Sequence, residues 1–300
     1  MKKILLILIF PVLVCKAYSQ EINNSGELEN SLLWEISRND LTYKSYLFGT
    51  NHIIGGSYVD TSSIIAECLT SSNVVITEAV KDDIDTAMLL QSIKMKDDEY
   101  YSFSDSRDEE YLKEFFSENS ILKPYSDIYF ILKPMFYWIM YYYTEYLQNE
   151  QDIKSDFISL DYYFMDKASE MNKKLIGFES VNEQMSFFTD SISIKNQLKI
   201  LLETIRTTKE NLKMGTMYLN SCYLKQDLNC MSEFMIFGSK FPNENKIFLE
   251  SRNIKWMQKI PSIINYNSSF IAVGAAHLPG KNGLINLLKR QGYEVKPLKF

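Results

Sequence analysis

The chain has 300 residues, of which 46% are hydrophobic and 14% aromatic, and its formal net charge is −6. This hydrophobic content is enough to bury a full core and excludes an intrinsically disordered chain. The acidic balance argues against nucleic acid as a partner. We therefore expect a globular protein that binds no nucleic acid.

The first nineteen residues have the three parts of an export signal. Two lysines open the segment, an apolar run covers residues 4–14, and small residues stand at positions 17 and 19. A membrane span needs about twenty apolar residues, whereas this run is shorter and contains Pro11. We predict a signal peptide over residues 1–19, an exported (periplasmic or secreted) protein, and no transmembrane segment in the mature chain. Lipoprotein anchoring through Cys15 is less favoured, because Val14 rather than a small residue precedes it.

Three cysteines remain in the predicted mature chain, and they are Cys68, Cys222 and Cys230. In an oxidising compartment the close pair Cys222 and Cys230 could form a disulfide, leaving Cys68 as a buried thiol. Three free buried thiols are an equally open alternative. The chain has no CxxC pattern and no Cys/His cluster, which excludes a zinc-finger type of site.

The N-terminal part of the mature chain predicts a strand, helix, strand unit. Leu33–Ser37 and Ser45–Phe48 have the pattern of a β-hairpin. Asp60 is predicted to cap a helix whose apolar face includes Leu69, and Val74–Thr77 has the pattern of a buried strand. A helix between the last two strands favours parallel pairing.

Residues 81 to about 260 contain almost no glycine and predict a large α-helical insertion within one domain over residues 20–300. One strand, Lys174–Phe178, interrupts it. The aromatic run over residues 131–147 is interpreted as a buried helix rather than a membrane span, because Lys133 and Pro134 lie inside it. The helices predicted within this insertion are Asp108–Phe116, Tyr125–Gln148, Asp161–Met171 and Asn196–Phe237.

The last forty residues return to an α/β pattern. They predict a strand at Phe270–Val273, a helix around Leu284–Leu288 that stops at Gly292, and a strand at Tyr293–Pro297. The fold class that follows is α/β, with a single central sheet built from the N- and C-terminal halves and a large helical insertion between them.

The only two histidines of the chain occupy the same position in two related segments. Each segment is an apolar strand followed by Gly-x-x-His, with Gly49 before His52 and Gly274 before His277. Glycine lets the backbone turn where the strand ends, and the imidazole then lies above the carboxyl edge of the sheet, where α/β proteins bind ligands. We predict that the two imidazoles meet in space.

Two further predicted strands end in carboxylates, Glu78 and Glu179. If these strands are parallel neighbours of the histidine strands, both side chains reach the same edge of the sheet. Two imidazoles with one or two carboxylates are a suitable set for a divalent transition metal. Taken singly, either glutamate could equally be a solvated strand end or a helix-start carboxylate.

These residues resemble the TraB/PrgY/GumN family, which includes the Tiki-type proteases. The resemblance extends from about Leu33 to Pro297 and includes the two Gly-x-x-His segments, Tyr46-Leu47-Phe48-Gly49-Thr50-Asn51-His52 and Val273-Gly274-Ala275-Ala276-His277-Leu278-Pro279-Gly280. The other segments that carry it are Leu33-Trp34-Glu35-Ile36, Leu160-Asp161-Tyr162-Tyr163-Phe164, Gly177-Phe178-Glu179-Ser180 with Glu183-Gln184, and Arg252-Asn253-Ile254-Lys255-Trp256.

The resemblance implies a metal-dependent hydrolase, and a peptidase is the favoured class. In this reading His52, His277 and Glu78 hold a divalent ion (Mn, Co or Zn), and a peptide or protein is the substrate. Glu179 is the general base and Arg252 stabilises the transition state, although the two glutamates could exchange roles. Asp161 and Gln184 are expected to support the fold.

Two alternatives stay open. One is a non-catalytic module of the cell envelope that binds a peptide or a metal in the same cleft for signalling. The other is a His–Glu pair that activates water without metal. A serine hydrolase is disfavoured because no Gly-x-Ser-x-Gly segment is present.

Overall fold

A computed structural model describes residues 28–80, 85–149, 158–238 and 246–300. The predicted signal peptide lies outside these described residues. Within them the chain divides into two compact units. The helical unit contains residues 85–149 and 180–216, and the sheet unit contains residues 28–80, 158–179, 217–238 and 246–300.

Six strands of the sheet unit form one mixed sheet. They are β1 (Leu33–Ser37), β2 (Ser45–Thr50), β3 (Val74–Thr77), β4 (Lys174–Gly177), β5 (Ser269–Gly274) and β6 (Glu294–Leu298). Their order across the sheet is β4-β3-β5-β2-β1-β6. Strand β1 is antiparallel to both of its neighbours, whereas β2, β5, β3 and β4 pair in parallel. The predicted α/β class is confirmed.

The helices of the chain are α1 (Ser63–Ser71), α2 (Thr86–Ile93), α3 (Ser106–Glu118), α4 (Pro134–Asn149), α5 (Leu160–Glu170), α6 (Val181–Asp190), α7 (Ile194–Ile205), α8 (Lys209–Leu224), α9 (Leu228–Gly238), α10 (Ser251–Met257), α11 (Ile260–Ile264) and α12 (Leu284–Arg290). A π-helical turn at Lys246–Glu250 leads directly into α10. None of the described helices is long and apolar enough to cross a membrane.

Strand β5 lies between β2 and β3, which the sequence alone did not indicate. The expected parallel relation of β2 and β3 holds, but the two strands do not pair with each other. Strand β5 comes from the far end of the chain, and every residue of it is buried. Burial of a whole strand is typical of a central parallel strand covered on both faces. The carboxyl ends of β2, β5, β3 and β4 therefore lie along one edge of the sheet.

The starts of helices α1 and α4 differ from the predictions for physical reasons that the structure shows. The cap of α1 is Ser62, whose Oγ accepts a hydrogen bond from the Ile65 backbone N–H at 3.3 Å, while Asp60 instead accepts one from the Tyr163 hydroxyl at 2.7 Å. Helix α4 begins at Pro134 and not at Tyr125. Proline has no N–H to donate, so it suits the first turn of a helix and interrupts a longer one.

The predicted single helix over Asn196–Phe237 is three helices, α7, α8 and α9. The break before α9 contains Gln226 in the left-handed region, with φ of 57°. Asp227 then caps α9 by accepting a hydrogen bond from the Cys230 backbone N–H at 2.9 Å. A disulfide between Cys222 and Cys230, whose Cα atoms are 5.7 Å apart, links α8 to α9. Of the two alternatives that the sequence leaves open, the structure shows the disulfide, and Cys68 is a buried free thiol.

Candidate functional site

The two Gly-x-x-His turns lie side by side at the carboxyl edge of the sheet, because β2 pairs with β5. A Cβ on Gly49 would lie only 2.9 Å from Cβ of Ala275, inside the second turn. A Cβ on Gly274 would lie 3.1 Å from Oε1 of Glu78. Both glycines therefore allow close approaches that any side chain would obstruct.

The two imidazoles meet beside Gly274, as predicted. A Cβ on that glycine would lie 3.7 Å from Cδ2 of His277 and 4.0 Å from Nε2 of His52. His277 Cδ2 and His52 Nε2 are therefore no farther apart than the sum of these two distances. His277 is buried, whereas the His52 side chain keeps 18% of its surface exposed.

Asn253 determines the tautomer of His277. Its amide nitrogen donates to the backbone carbonyls of His277 (3.1 Å) and Asn282 (2.9 Å), so its amide oxygen faces His277 Nδ1 at 2.7 Å. An amide oxygen only accepts, and Nδ1 therefore carries the proton. Burial lowers the His277 pKa to about 3. The negative charge of Glu78 opposes this shift and the positive charge of Arg252 adds to it, so the ring is neutral at pH 7. Its Nε2 lone pair faces Arg252 Nη1 at 3.2 Å.

His52 has a carboxylate in the equivalent place. Its Nδ1 lies 2.6 Å from Oδ2 of Asp161, and Oδ1 of the same carboxylate accepts a hydrogen bond from the Thr50 hydroxyl at 2.7 Å. Burial lowers the pKa of His52, but the negative charge and hydrogen bond of Asp161 outweigh burial and leave the pKa raised. His52 is therefore the more basic of the two histidines.

Glu78 lies between the histidine turns and Arg252. Its Oε1 accepts a hydrogen bond from the Gly274 backbone N–H at 2.8 Å and lies 3.6 Å from His277 Nε2. Its Oε2 accepts one from Arg252 Nη2 at 2.6 Å. Burial alone would raise the pKa of Glu78, but the Arg252 charge lowers it far below its ordinary value. The carboxylate is ionised at neutral pH.

Arg252 also holds Glu179. Its Nε donates to Glu179 Oε1 at 2.9 Å and Nη2 contacts the same oxygen, while the Trp256 indole N–H donates to Oε2 at 3.4 Å. The guanidinium carbon lies 4.7 Å from the centre of the Trp256 ring, which supports the cation. Burial raises the pKa of Glu179 despite the opposing charge of Arg252. One buried arginine thus binds both glutamates.

All five residues proposed from the sequence come together, but two polar partners of the histidines were not identified as part of the site. The sequence predicts that Asp161 supports the fold, and it indicates Asn253 through the segment that resembles the family. Neither stands at a strand end, so the pattern that indicated the glutamates could not find them. Gln184 lies in α6 of the helical unit.

The donor types of this cluster fit a divalent transition metal, because two neutral imidazole nitrogens and a carboxylate are common ligands. A metal-binding histidine usually donates its other ring N–H to an acceptor, as both histidines do here. Within the described residues, however, no three His, Cys, Asp or Glu side chains form a group that could hold an ion. The Arg252 guanidinium contacts both His277 Nε2 and Glu78, the same atoms that a metal would bind.

Comparison with known proteins identifies a distant relative and a family. The chain is 26% identical to "Metalloprotease TIKI1" of Danio rerio in a match that covers 49% of this chain and 35% of that protein. The matched segment is therefore well under two thirds of the relative's length. No solved structure matches the chain. The sequence profile of the TraB/PrgY/gumN family matches residues 32–297, which include both histidine turns, and the chain belongs to this family.

Proposed function

We propose that the chain is a metal-dependent hydrolase that cleaves peptide bonds after export. The observation that carries this proposal is the paired orientation of the histidines. Each Nδ1 faces an acceptor oxygen, so both Nε2 atoms turn inward: that of His52 lies beside Gly274, and that of His277 lies 3.6 Å from Glu78 Oε1 and 3.2 Å from Arg252 Nη1. The similarity to a named metalloprotease supports the choice of reaction.

His52, His277 and Glu78 are the residues that would hold a divalent ion such as Mn, Co or Zn. Such an ion, when bound, supplies Lewis-acid polarisation of a carbonyl and lowers the pKa of water. The lone pair of His277 Nε2 has a single direction, so its contact with Arg252 and a metal bond exclude each other. Arg252 therefore competes with the ion for this nitrogen.

Glu179 and Arg252 complete the proposed reaction. Burial raises the pKa of Glu179, which favours its role as a base that accepts a proton from water and returns it to the leaving amine. Arg252 has several N–H groups and is fixed by two carboxylates, so it is preorganised to donate to a developing oxyanion. His52 is the most exposed of the proposed ligands, so the substrate reaches the site from its side.

The proposal is tested by incubating the purified mature protein with a peptide library and Mn²⁺, Co²⁺ or Zn²⁺, with and without a chelator. Cleavage that needs the metal supports it. Peptide binding without any product would favour the non-catalytic binding module, and cleavage that a chelator leaves unchanged would favour water activation by a His–Glu pair alone.

Variants of the two histidines make the test specific. His52→Ala and His277→Ala should each abolish cleavage with the fold intact, and the double variant should add little, because the pair acts as a unit. Glu170→Ala is the matched control, since it removes an exposed carboxylate of α5 that pairs with Lys167. Unfolding of either histidine variant would instead show that the histidines are structural.

Export is part of the proposal and has its own measurement. The mature protein should begin at Gln20, because small residues precede that position as a signal peptidase requires. Intact mass of the exported protein tests this expectation. A lipid on Cys15 would contradict it.

A further inference from the structure

The Asp161 carboxylate joins two residues of the first histidine turn. One oxygen accepts from the Thr50 hydroxyl and the other lies 2.6 Å from His52 Nδ1, while only 8% of the side chain is exposed. Carboxylate oxygens act as acceptors, and the second oxygen already accepts from Thr50, so the hydrogen of this short contact is placed on His52 Nδ1. The other ring nitrogen, Nε2, is thereby directed towards Gly274.

The backbone fixes Asp161 to the loop that carries His52. Asp161 is the second residue of α5, and the start of this helix is bound to the segment that follows β2. The Gly56 N–H donates to the Ile158 carbonyl at 3.1 Å, and the Leu160 N–H donates to the Ile54 carbonyl at 3.1 Å. Asp161 therefore has little freedom to move away from the imidazole.

His277 also has a hydrogen-bond acceptor at Nδ1, but of a different chemical type. Its Nδ1 faces the neutral amide oxygen of Asn253, whereas His52 faces a negative carboxylate. Both acceptors enforce the same tautomer, with the proton on Nδ1. The two histidines therefore have the same hydrogen-bond geometry at Nδ1, but the acceptor of His52 is a carboxylate and that of His277 is an uncharged amide.

We propose that Asp161 is a positioning residue, which holds His52 with its proton on Nδ1 and directs Nε2 into the site, and that Thr50 in turn orients Asp161. The effect of Asp161 on cleavage rests on the proposed hydrolase function. Its effect on the tautomer of His52 does not. The two parts are therefore measured separately.

The tautomer is measured by ¹⁵N NMR of protein labelled at histidine and prepared without a histidine tag. The chain has only two histidines, so the spectrum contains two imidazoles, which His52→Gln assigns. In the unmodified protein we expect the His52 proton on Nδ1. Asp161→Ala should transfer a substantial part of the population to the Nε2–H form and leave His277 unchanged, while Asn253→Ala should do the reverse.

Two further variants test whether the tautomer of His52 depends specifically on an acceptor at position 161. In Asp161→Asn the new amide oxygen can still accept from Nδ1 and its nitrogen can donate to Thr50, as in the Asn253 arrangement, so the tautomer should be restored. Glu170→Ala, which removes an exposed carboxylate from the same helix, should change neither tautomer nor cleavage. With an active preparation, Asp161→Ala should lower kcat by about 10–100-fold, the range of comparable orienting residues, with a smaller effect on KM.

The outcomes separate the two proposals. A His52 that keeps its proton on Nδ1 in folded Asp161→Ala would overturn the positioning role, whatever the activity. A neutral His52 ring with its only proton on Nε2 in the unmodified protein, observed at a pH above the raised His52 pKa, would overturn it as well, and this measurement remains decisive if the variant does not fold. A tautomer change in a protein that cleaves no peptide would retain the positioning role and count against the hydrolase.

Discussion

His52 and His277 occupy equivalent positions in the same motif but have opposite acid–base behaviour. Asp161 raises the pKa of His52 above that of a free imidazole, whereas burial lowers the pKa of His277 to about 3. The motif predicts where the imidazoles lie, but their protonation depends on residues from α5 and α10. At the residue scale the sequence could therefore predict the position of the site and could not predict its electrostatics.

We expect the stability of the protein to fall as the pH is lowered from about 6.5 towards 3, in part because of His277. The unfolded chain binds a proton at this residue near its ordinary pKa, whereas the folded chain does so only near pH 3. More protons are bound by the unfolded state in this window, so the free energy of unfolding rises with pH. The contribution is on the order of a few kcal/mol.

Urea unfolding at several pH values tests this dependence, with His277→Gln as the comparison. The variant should have a shallower slope between pH 4.5 and 6.5, and the comparison of the two proteins cancels the carboxylates that titrate in the same range. His52 acts in the opposite sense, because its raised pKa adds stability at low pH that is lost as the pH rises above about 6.5. Equal slopes in both proteins would contradict the assignment of a neutral buried His277.

Alanine substitutions at the two motif glycines should have different effects. At Gly274 the new Cβ would lie 3.1 Å from the end of the Glu78 side chain, which can shift by a few tenths of an ångström, so cleavage should fall with little loss of stability. At Gly49 it would meet Cα and Cβ of Ala275 at 3.0 and 2.9 Å, and the backbone must move. We expect Gly49→Ala to cost about 1–3 kcal/mol, as overpacking does.

Urea midpoints and kcat/KM, measured on both variants, separate the two effects. A Gly274→Ala protein with full activity would show that Glu78 has no strict position. A Gly49→Ala protein with normal stability would show that the two turns can separate without cost.

Local sequence patterns predict the strands well, but they do not predict where a long helix is interrupted. The strands from β1 to β6 agree with the predicted ranges to within two residues at each end, because short apolar runs between polar residues are a clear signal. The long helix predicted over Asn196–Phe237 is wrong, and its second break occurs where Gln226 adopts a left-handed conformation, which glycine or asparagine commonly signals and glutamine does not.

The disulfide lies at the break between α8 and α9, next to a residue that contacts the first histidine turn. Cys222 precedes Tyr223, a fully buried residue whose hydroxyl donates to the Gly49 carbonyl at 2.8 Å. Closing a loop of this size stabilises a protein by about 2–3 kcal/mol in the chain-entropy model. Cys222→Ser with Cys230→Ser should therefore lower the free energy of unfolding by about this amount. Thermal unfolding measures the change, and Tyr223→Phe, which keeps the disulfide and loses the hydroxyl, is the matched comparison.

For the whole molecule, the sequence predicted the fold class and the joining of both chain ends in one sheet. It did not predict the strand order, because the pattern of a buried strand does not specify its neighbours. The placement of β5 between β2 and β3 follows from pairings with both, Thr50 with Gly274 and Thr77 with Ala272. Glu78 reaches His277 only through this placement.

The central position of β5 has a consequence for the order of events during synthesis. His52 and Glu78 leave the ribosome well before the strand that brings them together. Until residues 269–277 emerge, β2 and β3 lack the partner that they share, and the second histidine does not exist. A nascent or prematurely terminated chain therefore cannot assemble this cluster, so any chemistry of the site is confined to chains whose translation has reached this strand.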